Sequence, residues 1–404
     1  MEGGLKSGMR KSPRILVLTL SFGSGHVRAA AAVARELRRQ EPRADVRVCD
    51  ALEGARLLFR ALYVWPYWAL VRHAPSLWGR FFAARVARGD TSTAPARAFR
   101  FGCAHVFKLI EGFRPEVIVA CEVAACELAA LAKREGLTRA RLVNVITDHE
   151  AEPVWVKPEA DAYAVADPCV REQLCAWGAP RERVKVCGIP VGEDFRLRHD
   201  AEETRRRHGI KDDAPIVLLM GGGMGPTRMD AVAASLCQQG FPLHVVAVAG
   251  RDRRARRKLS RVKAEPPATL RVQGWADDVP ALMQAASILV TKPGGLTTAE
   301  AALCALPTVF FDAIPGPERR NAARLAEAGA AVIADTPEAA ADAALSLLRD
   351  EEALRLMSER AGQISKPDAA ADIARLVLND HATDACETGD AGARAWAAAA
   401  RWTV

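Results

Sequence analysis

The chain has 404 residues, a length that suits two or three domains of ~150 residues each. Half of the residues are hydrophobic and 26% are charged, which excludes a disordered or fibrous chain, and no apolar run reaches the ~18–20 residues of a membrane span. Lysine and arginine total 56 against 49 acids, a modest net charge of +7, so the location of the basic residues matters more than their number.

The opening stretch Met1–Pro13 is polar and runs straight into an apolar segment, so no secretory signal is expected. Ten scattered cysteines without a CxxC spacing argue against a zinc ribbon, a redox dithiol or a disulfide framework, and point to a reducing cytoplasm. Arg14–Leu20 (RILVLTL) predicts a buried strand that breaks at Ser21-Phe22-Gly23-Ser24-Gly25, and an alanine-rich helix follows to about Gln40. Glycines there let the backbone turn tightly, and the helix N-terminus favours an anion. The spacing is neither a dinucleotide fingerprint nor a P-loop. His26 lies on the first helical turn, where it either caps the loop or serves as a base.

Val46–Cys49 predicts a second strand. The next segment, Gly54–Gly89, departs from the strand–helix rhythm. It holds six arginines and no acid, together with Trp65, Trp68, Trp78, Tyr63, Tyr67, Phe59, Phe81 and Phe82. Pro66 and Pro75 divide it into short helices. Such a segment either packs on the protein's own core or faces a membrane, where indole rings and arginines meet anionic headgroups; the combination favours the membrane.

Short strands are expected at Glu116–Ala120, Arg141–Ile146 and Val184–Cys187, and the pattern then restarts. Pro215–Met220 meets a second glycine break, Gly221-Gly222-Gly223-Met224-Gly225, and further strands follow at Leu243–Ala249, Thr269–Val272, Ser287–Thr291 and Pro307–Phe311. The basic run Arg251–Lys263 carries no aromatics and reads as a solvated helix face rather than a nucleic-acid site. In Thr291-Lys292-Pro293-Gly294-Gly295-Leu296-Thr297-Thr298-Ala299-Glu300, two glycines permit close approach and both threonines can donate from the helix start. Glu300 either caps the helix or accepts ribose hydroxyls. Pro315-Gly316-Pro317-Glu318-Arg319-Arg320-Asn321 follows the next strand, with Glu318 and Asn321 placed to meet sugar hydroxyls. Helical pattern covers Pro337–Ser365 and Asp368–Leu378, and an alanine-rich tail of uncertain order ends the chain.

The fold class expected is therefore α/β, with two doubly wound Rossmann-like domains facing a cleft. Residues 1–196 form the first, 197–365 the second, and 366–404 a terminal helix and tail.

These residues carry a resemblance. The stretches SFGSGHVRAA, VITDHEAEPVW (Val145–Trp155), VKVCGIPV, LLMGGGMG, the long run Val272–Phe310 and PGPERRNAARLAEAGAAV resemble the family 28 glycosyltransferases of the GT-B fold. The first-half motifs are similar to the branch that holds monogalactosyldiacylglycerol synthases and processive diacylglycerol glucosyltransferases. That resemblance implies an inverting transfer of a hexose from a UDP-sugar to a lipid, with diacylglycerol as the expected acceptor. It implies His26 and Asp148 as the catalytic pair. Gly221, Gly222, Gly223, Gly294, Gly295, Leu296 and Thr297 would lie against the nucleotide, Glu300 against the ribose, and Glu318 and Asn321 against the donor sugar.

Gly25, Trp65, Trp68, Arg72, Trp78 and Arg80 are assigned to the acceptor and an anionic membrane surface. No metal, no cofactor and no nucleic-acid partner are expected, since the UDP-sugar is a substrate, and the enzyme would sit peripherally on the inner face of the cell membrane. Three positions depart from the family pattern: His149 follows Thr147-Asp148 where an aromatic residue is usual, Glu152 replaces a histidine, and Pro317 replaces a glutamine. The rival readings are a transferase with a sterol, secondary metabolite or polyprenyl-linked sugar as acceptor, and a non-catalytic UDP-sugar or lipid binder.

Overall fold

A computed structural model describes residues 12–91, 96–222 and 227–379. The first lobe runs β1 (Arg14–Thr19), α1 (Ser24–Gln40), β2 (Asp45–Asp50), α2 (Trp65–His73), α3 (Pro75–Arg88), β3 (Val117–Ala120), α4 (Val123–Arg134), β4 (Arg141–Val145), β5 (Ala162–Val165) and β6 (Val184–Val186). The second continues with β7 (Ile216–Met220), β8 (His244–Val248), β9 (Thr269–Gln273), β10 (Ile288–Thr291), α5 (Gly295–Leu303), β11 (Thr308–Phe310), α6 (Pro317–Glu327) and β12 (Ala331–Ile333), and α7 (Ala369–Leu378) follows.

Both sheets are parallel and six-stranded, ordered β2-β1-β3-β4-β5-β6 and β12-β11-β10-β7-β8-β9. Their strands are continuous apolar runs because both faces are covered. In β1, Leu16 and Leu18 enter one core while Ile15 and Val17 enter the opposite one. In β7, Val217 and Leu219 likewise part from Ile216, Leu218 and Met220.

The order places a topological switch between β1 and β3 in the first lobe and between β7 and β10 in the second. Ligands of open α/β sheets collect beyond the carboxyl ends of strands at such points.

Two strands, β5 (AYAV) and β12 (AVI), carry no clear signal in the sequence, because alanine is depleted in strands and neither run is long. The stretch expected as one helical region over 337–365 is two helices, Pro337–Arg349 and Glu351–Ile364, and Asp350 caps the second by accepting from Ala353 N at 2.9 Å. Helix α7 returns to the first lobe. Its Ile373, Ala374 and Val377 pack with Ile15, Val33 and Leu37, and the Arg141 guanidinium donates to Leu376 O and Asn379 O, both at 2.9 Å. Among the described residues no helix is long and apolar enough to cross a membrane.

Candidate active site

Loops at the carboxyl ends of both sheets converge on a cavity of about 720 Å³. That volume falls within the ~300–1,000 Å³ typical of small-ligand sites. The first lobe contributes Gly23, Ser24, Gly25, His26 and Arg28 after β1, Glu122 after β3, and Thr147 and Asp148 after β4. The second contributes Gly222 after β7, Lys292, Gly294, Gly295, Leu296 and Thr297 after β10, and Pro317 and Glu318 beyond β11. Among the described residues no cluster of three or more His, Cys, Asp or Glu side chains stands ready for a metal ion.

His26 is fixed by its neighbours. Its Nδ1 lies 3.0 Å from Thr147 Oγ1, and in the tautomer where Nδ1 donates, Nε2 keeps the lone pair. Burial pushes the imidazole below its ordinary value of 6.5, and the nearby Asp148 charge and a backbone hydrogen bond to Cys121 oppose it without reversing the direction. The ring is therefore neutral at pH 7, the form a general base needs.

The opposing wall is the start of α5. Gly294 is its N-cap, with an extended backbone and no side-chain cap, so the first amide groups are open to a ligand. Gly295 sits directly against the first lobe: a Cβ there would stand 1.9 Å from Thr147 O and 2.7 Å from Asp148 Oδ1. Only glycine allows the lobes to meet so closely. Gly25 faces Leu296 across the same gap, where a Cβ would be 3.7 Å from the leucine Cβ. Thr298 Oγ1, expected to donate toward a ligand, instead donates to Gly295 O at 2.6 Å.

Glu300 is buried, and Arg28 of α1 reaches across to it with Nη2 at 3.0 Å from Oε1. No hydrogen-bond donor is aligned with that oxygen. Burial pushes the carboxyl up to about 7, and the Arg28 charge only partly offsets this. Gly222 adopts a left-handed φ of +73° on the cavity wall, Gly221 lies beneath it against Met229, and Gly223 falls outside the described residues.

Asn321 differs from its expected place beside a donor sugar. It is completely buried and does not line the cavity. Its amide nitrogen donates to Asp148 Oδ1 at 2.8 Å and Pro293 O at 3.0 Å, while its oxygen accepts from His149 N at 2.7 Å. The bonds to Asp148 and His149 clamp the second lobe to the first, and the bond to Pro293 holds the amide in place. Glu318 does line the cavity; its Oε2 accepts from Ile314 N at 2.7 Å, and Lys292 Nζ stands 4.0 Å from Oε1. A second clamp joins His149, Asp167 and Arg324. His149 Nδ1 is 2.8 Å and Arg324 Nε 3.6 Å from Asp167 Oδ2. Burial raises Asp167, yet the His149 hydrogen bond and the two neighbouring charges outweigh it and hold the carboxyl below its ordinary range.

The Gly54–Gly89 segment forms a lid with two faces. Tyr63, Tyr67, Trp68 and Trp78 point into the cavity, and Tyr67 packs edge-on against Phe22, Trp68 and Trp78 with centroids 5.0–5.3 Å apart. Gly79 and Phe82 touch the Pro315–Gly316 loop of the second lobe, so the lid bridges both. Leu57, Leu58, Leu62, Trp65, Leu77 and Phe81 are 44–71% exposed, and Arg56, Arg60, Arg72, Arg80 and Arg88 stand among them in water. Arg85 is the exception: it turns inward and pairs with Glu152. The segment thus combines both sequence readings, core packing on one face and an open apolar, basic face on the other.

Sequence reasoning missed Arg28, Glu122, Arg85 and Trp155, all of which line the cavity. Glu122 had a signal, since it ends the apolar run VIVAC and caps the next helix by accepting from Ala124 N at 2.7 Å. Burial pushes its carboxyl up to about 8, against those backbone donors. Arg28 had none, because nothing local distinguishes it from the other arginines of α1.

Known proteins match over both lobes. Residues 26–191 fit the family described as monogalactosyldiacylglycerol (MGDG) synthase, and residues 200–363 fit glycosyl transferases group 1. A processive diacylglycerol beta-glucosyltransferase of Bacillus cytotoxicus is 27% identical over 375 residues, covering 92% of this chain and 95% of that protein. In structure, MurG of Acinetobacter baumannii is similar with a TM-score of 0.59 at 17% identity, covering 91% of this chain and 99% of its own. Anabaena HepE, solved with UDP-glucose, gives 0.55 at 15% identity over 90% and 98%. A UDP-GlcNAc 2-epimerase from Neisseria meningitidis gives 0.57 at 13% identity over 91% and 99%, so the shared architecture alone does not select the chemistry. The sequence matches make that selection: the chain is a glycosyltransferase of the GT-B fold, similar to the monogalactosyldiacylglycerol synthases in its first lobe and to the processive diacylglycerol glucosyltransferases over 92% of its length.

Proposed function

We propose that this enzyme transfers a hexose from a UDP-sugar to the free hydroxyl of diacylglycerol, with inversion at the anomeric carbon. The observation that carries the reading is the placement of a neutral, half-buried His26 opposite the uncapped start of α5, across a cavity that both lobes line. His26 Nε2 takes the proton of the acceptor hydroxyl as its oxygen attacks the anomeric carbon. The bond from that carbon to the diphosphate oxygen breaks on the opposite face, so an α-linked donor gives a β-glycoside. Asp148, held by Asn321, stabilises the imidazolium that forms. The amides at Gly295–Thr297 receive the charge of the departing UDP. Gly221–Gly223 and Glu300 bind the nucleotide, and Glu318 contacts the donor sugar. The UDP-sugar enters this scheme as a substrate and not as a cofactor.

The acceptor enters beneath the lid. Trp68, Trp78 and Gly25 border its path, while Trp65, Arg72 and Arg80 meet an anionic membrane surface, placing the enzyme peripherally on the cytoplasmic face. Support comes from the open apolar and basic face and from the relatives named for diacylglycerol. Purified enzyme incubated with diacylglycerol vesicles and a panel of UDP-sugars should yield a β-glycosyl lipid by mass spectrometry and NMR. His26→Ala should lower transfer by ~10²–10⁴-fold while UDP binding survives. Absence of glycolipid with every donor, or unchanged turnover in that variant, defeats the proposal.

A further inference from the structure

Among the described residues, three side-chain cations line the cavity: Arg28, Arg85 and Lys292. Arg85 is neutralised by Glu152 within the first lobe, and Lys292 lies beside Glu318 within the second. Arg28 is different. It belongs to the first lobe, and the carboxylate it faces, Glu300, belongs to the second. Their contact is close in charge yet poorly made as a hydrogen bond, since Glu300 Oε1 is fully buried with no aligned donor. Such an acceptor gains from a hydroxyl that can point a hydrogen at it. The Arg28 guanidinium also lies 5.5 Å from the Phe195 ring centroid, an apolar face that holds it near the cavity without using its N–H groups.

We infer that Arg28 is the first-lobe cation for the donor diphosphate, exchanging Glu300 for phosphate oxygens when the ribose hydroxyls bind that carboxylate. The inference rests on the assignment of Glu300 to the ribose. The exchange leaves neither group without a partner: Glu300 trades one cationic neighbour for two hydroxyl donors, while the guanidinium meets an anion carrying at least two negative charges. Arg28 then faces the same phosphates as the α5 amides, from the opposite lobe. A planar guanidinium engages two phosphate oxygens at once, and its interaction strengthens as charge builds on the leaving group. One pair of side chains thereby couples nucleotide recognition in the second lobe to charge stabilisation from the first.

The test separates nucleoside from phosphate. Uridine and UDP are titrated into wild-type enzyme, Arg28→Gln, Arg28→Lys and Glu300→Gln, each first shown to be folded by near-ultraviolet circular dichroism. Arg28→Gln should weaken UDP by about 10- to 100-fold while uridine binds as tightly as to wild type, and Arg28→Lys should recover part of the loss. Glu300→Gln should weaken uridine and UDP together. Arg28→Gln overturns the inference if UDP affinity is unchanged, or if uridine and UDP weaken by the same factor, the mark of a residue that merely orients Glu300. A Glu300→Gln variant with wild-type uridine affinity defeats instead the ribose assignment beneath it, and wild-type enzyme that binds neither ligand defeats both.

Discussion

Replacing Gly295 with alanine tests the geometry of the cleft most directly. The added methyl would lie 1.9 Å from Thr147 O, and real Cβ contacts do not fall under 3.0 Å. The two lobes must therefore part by roughly 1 Å at this point, a displacement of the size that costs about 100-fold in rate when reacting groups are misplaced. The effect reaches His26 because Thr147 also holds the imidazole, at 3.0 Å from Nδ1. The expected signature is a kcat about 100-fold lower with a smaller loss of UDP affinity, because the proposed nucleotide contacts lie mostly within the second lobe. Gly362→Ala, in the helix Glu351–Ile364 and away from the cavity, is the control, since its methyl would make an ordinary 3.6 Å contact with Ala305. It should change kcat by no more than about twofold. Initial rates with saturating UDP-sugar and calorimetric titration of UDP supply both numbers. Wild-type turnover in Gly295→Ala, or equal damage in Gly362→Ala, would refute the close approach.

The remaining predictions concern pH, the interlobe clamp and the lid. His26 titrates below 6.5 in the folded enzyme, so the neutral base persists at pH 7 and kcat/KM should decline only as the pH falls through a value under 6.5; an acid limb centred above 6.5 contradicts the assignment. Asn321→Ala strands Asp148 Oδ1, His149 N–H and Pro293 O, and at about 1–3 kcal/mol per stranded buried group it should lower the urea midpoint clearly; an unchanged midpoint removes the clamp. Leu62→Asp combined with Phe81→Asp places charge on two residues that are 71% and 58% exposed, so it should abolish sedimentation with anionic vesicles while the melting temperature stays within a few degrees of wild type. Undiminished co-sedimentation would show that this face does not meet lipid.

Much of the architecture was legible because it is local. A strand buried on both faces must be a continuous apolar run, and a loop that brings backbone amides to a ligand favours glycine, so β1 with its Ser21–Gly25 turn and β10 with Gly294–Gly295 declare themselves. The motifs around His26, Asp148 and Glu300 were readable for the same reason: each sits within a few residues of the turn that aims it. Strands β5 and β12 were not, because their alanines carry no period or propensity that separates strand from helix.

What the linear order of residues determined, then, is the succession of elements, the two lobes and the kind of chemistry each carboxyl-end loop can support. Tertiary structure alone decided how those loops face one another. It joined Arg28 to Glu300, turned Asn321 from a sugar contact into a clamp, drew Arg85 inward to Glu152, and returned α7 to the first lobe. Each of these relations joins residues far apart in sequence. Periodicity registers only neighbours within a turn or a pleat, whereas a charge or an amide acquires its partner from whichever surface the packed lobes bring opposite it.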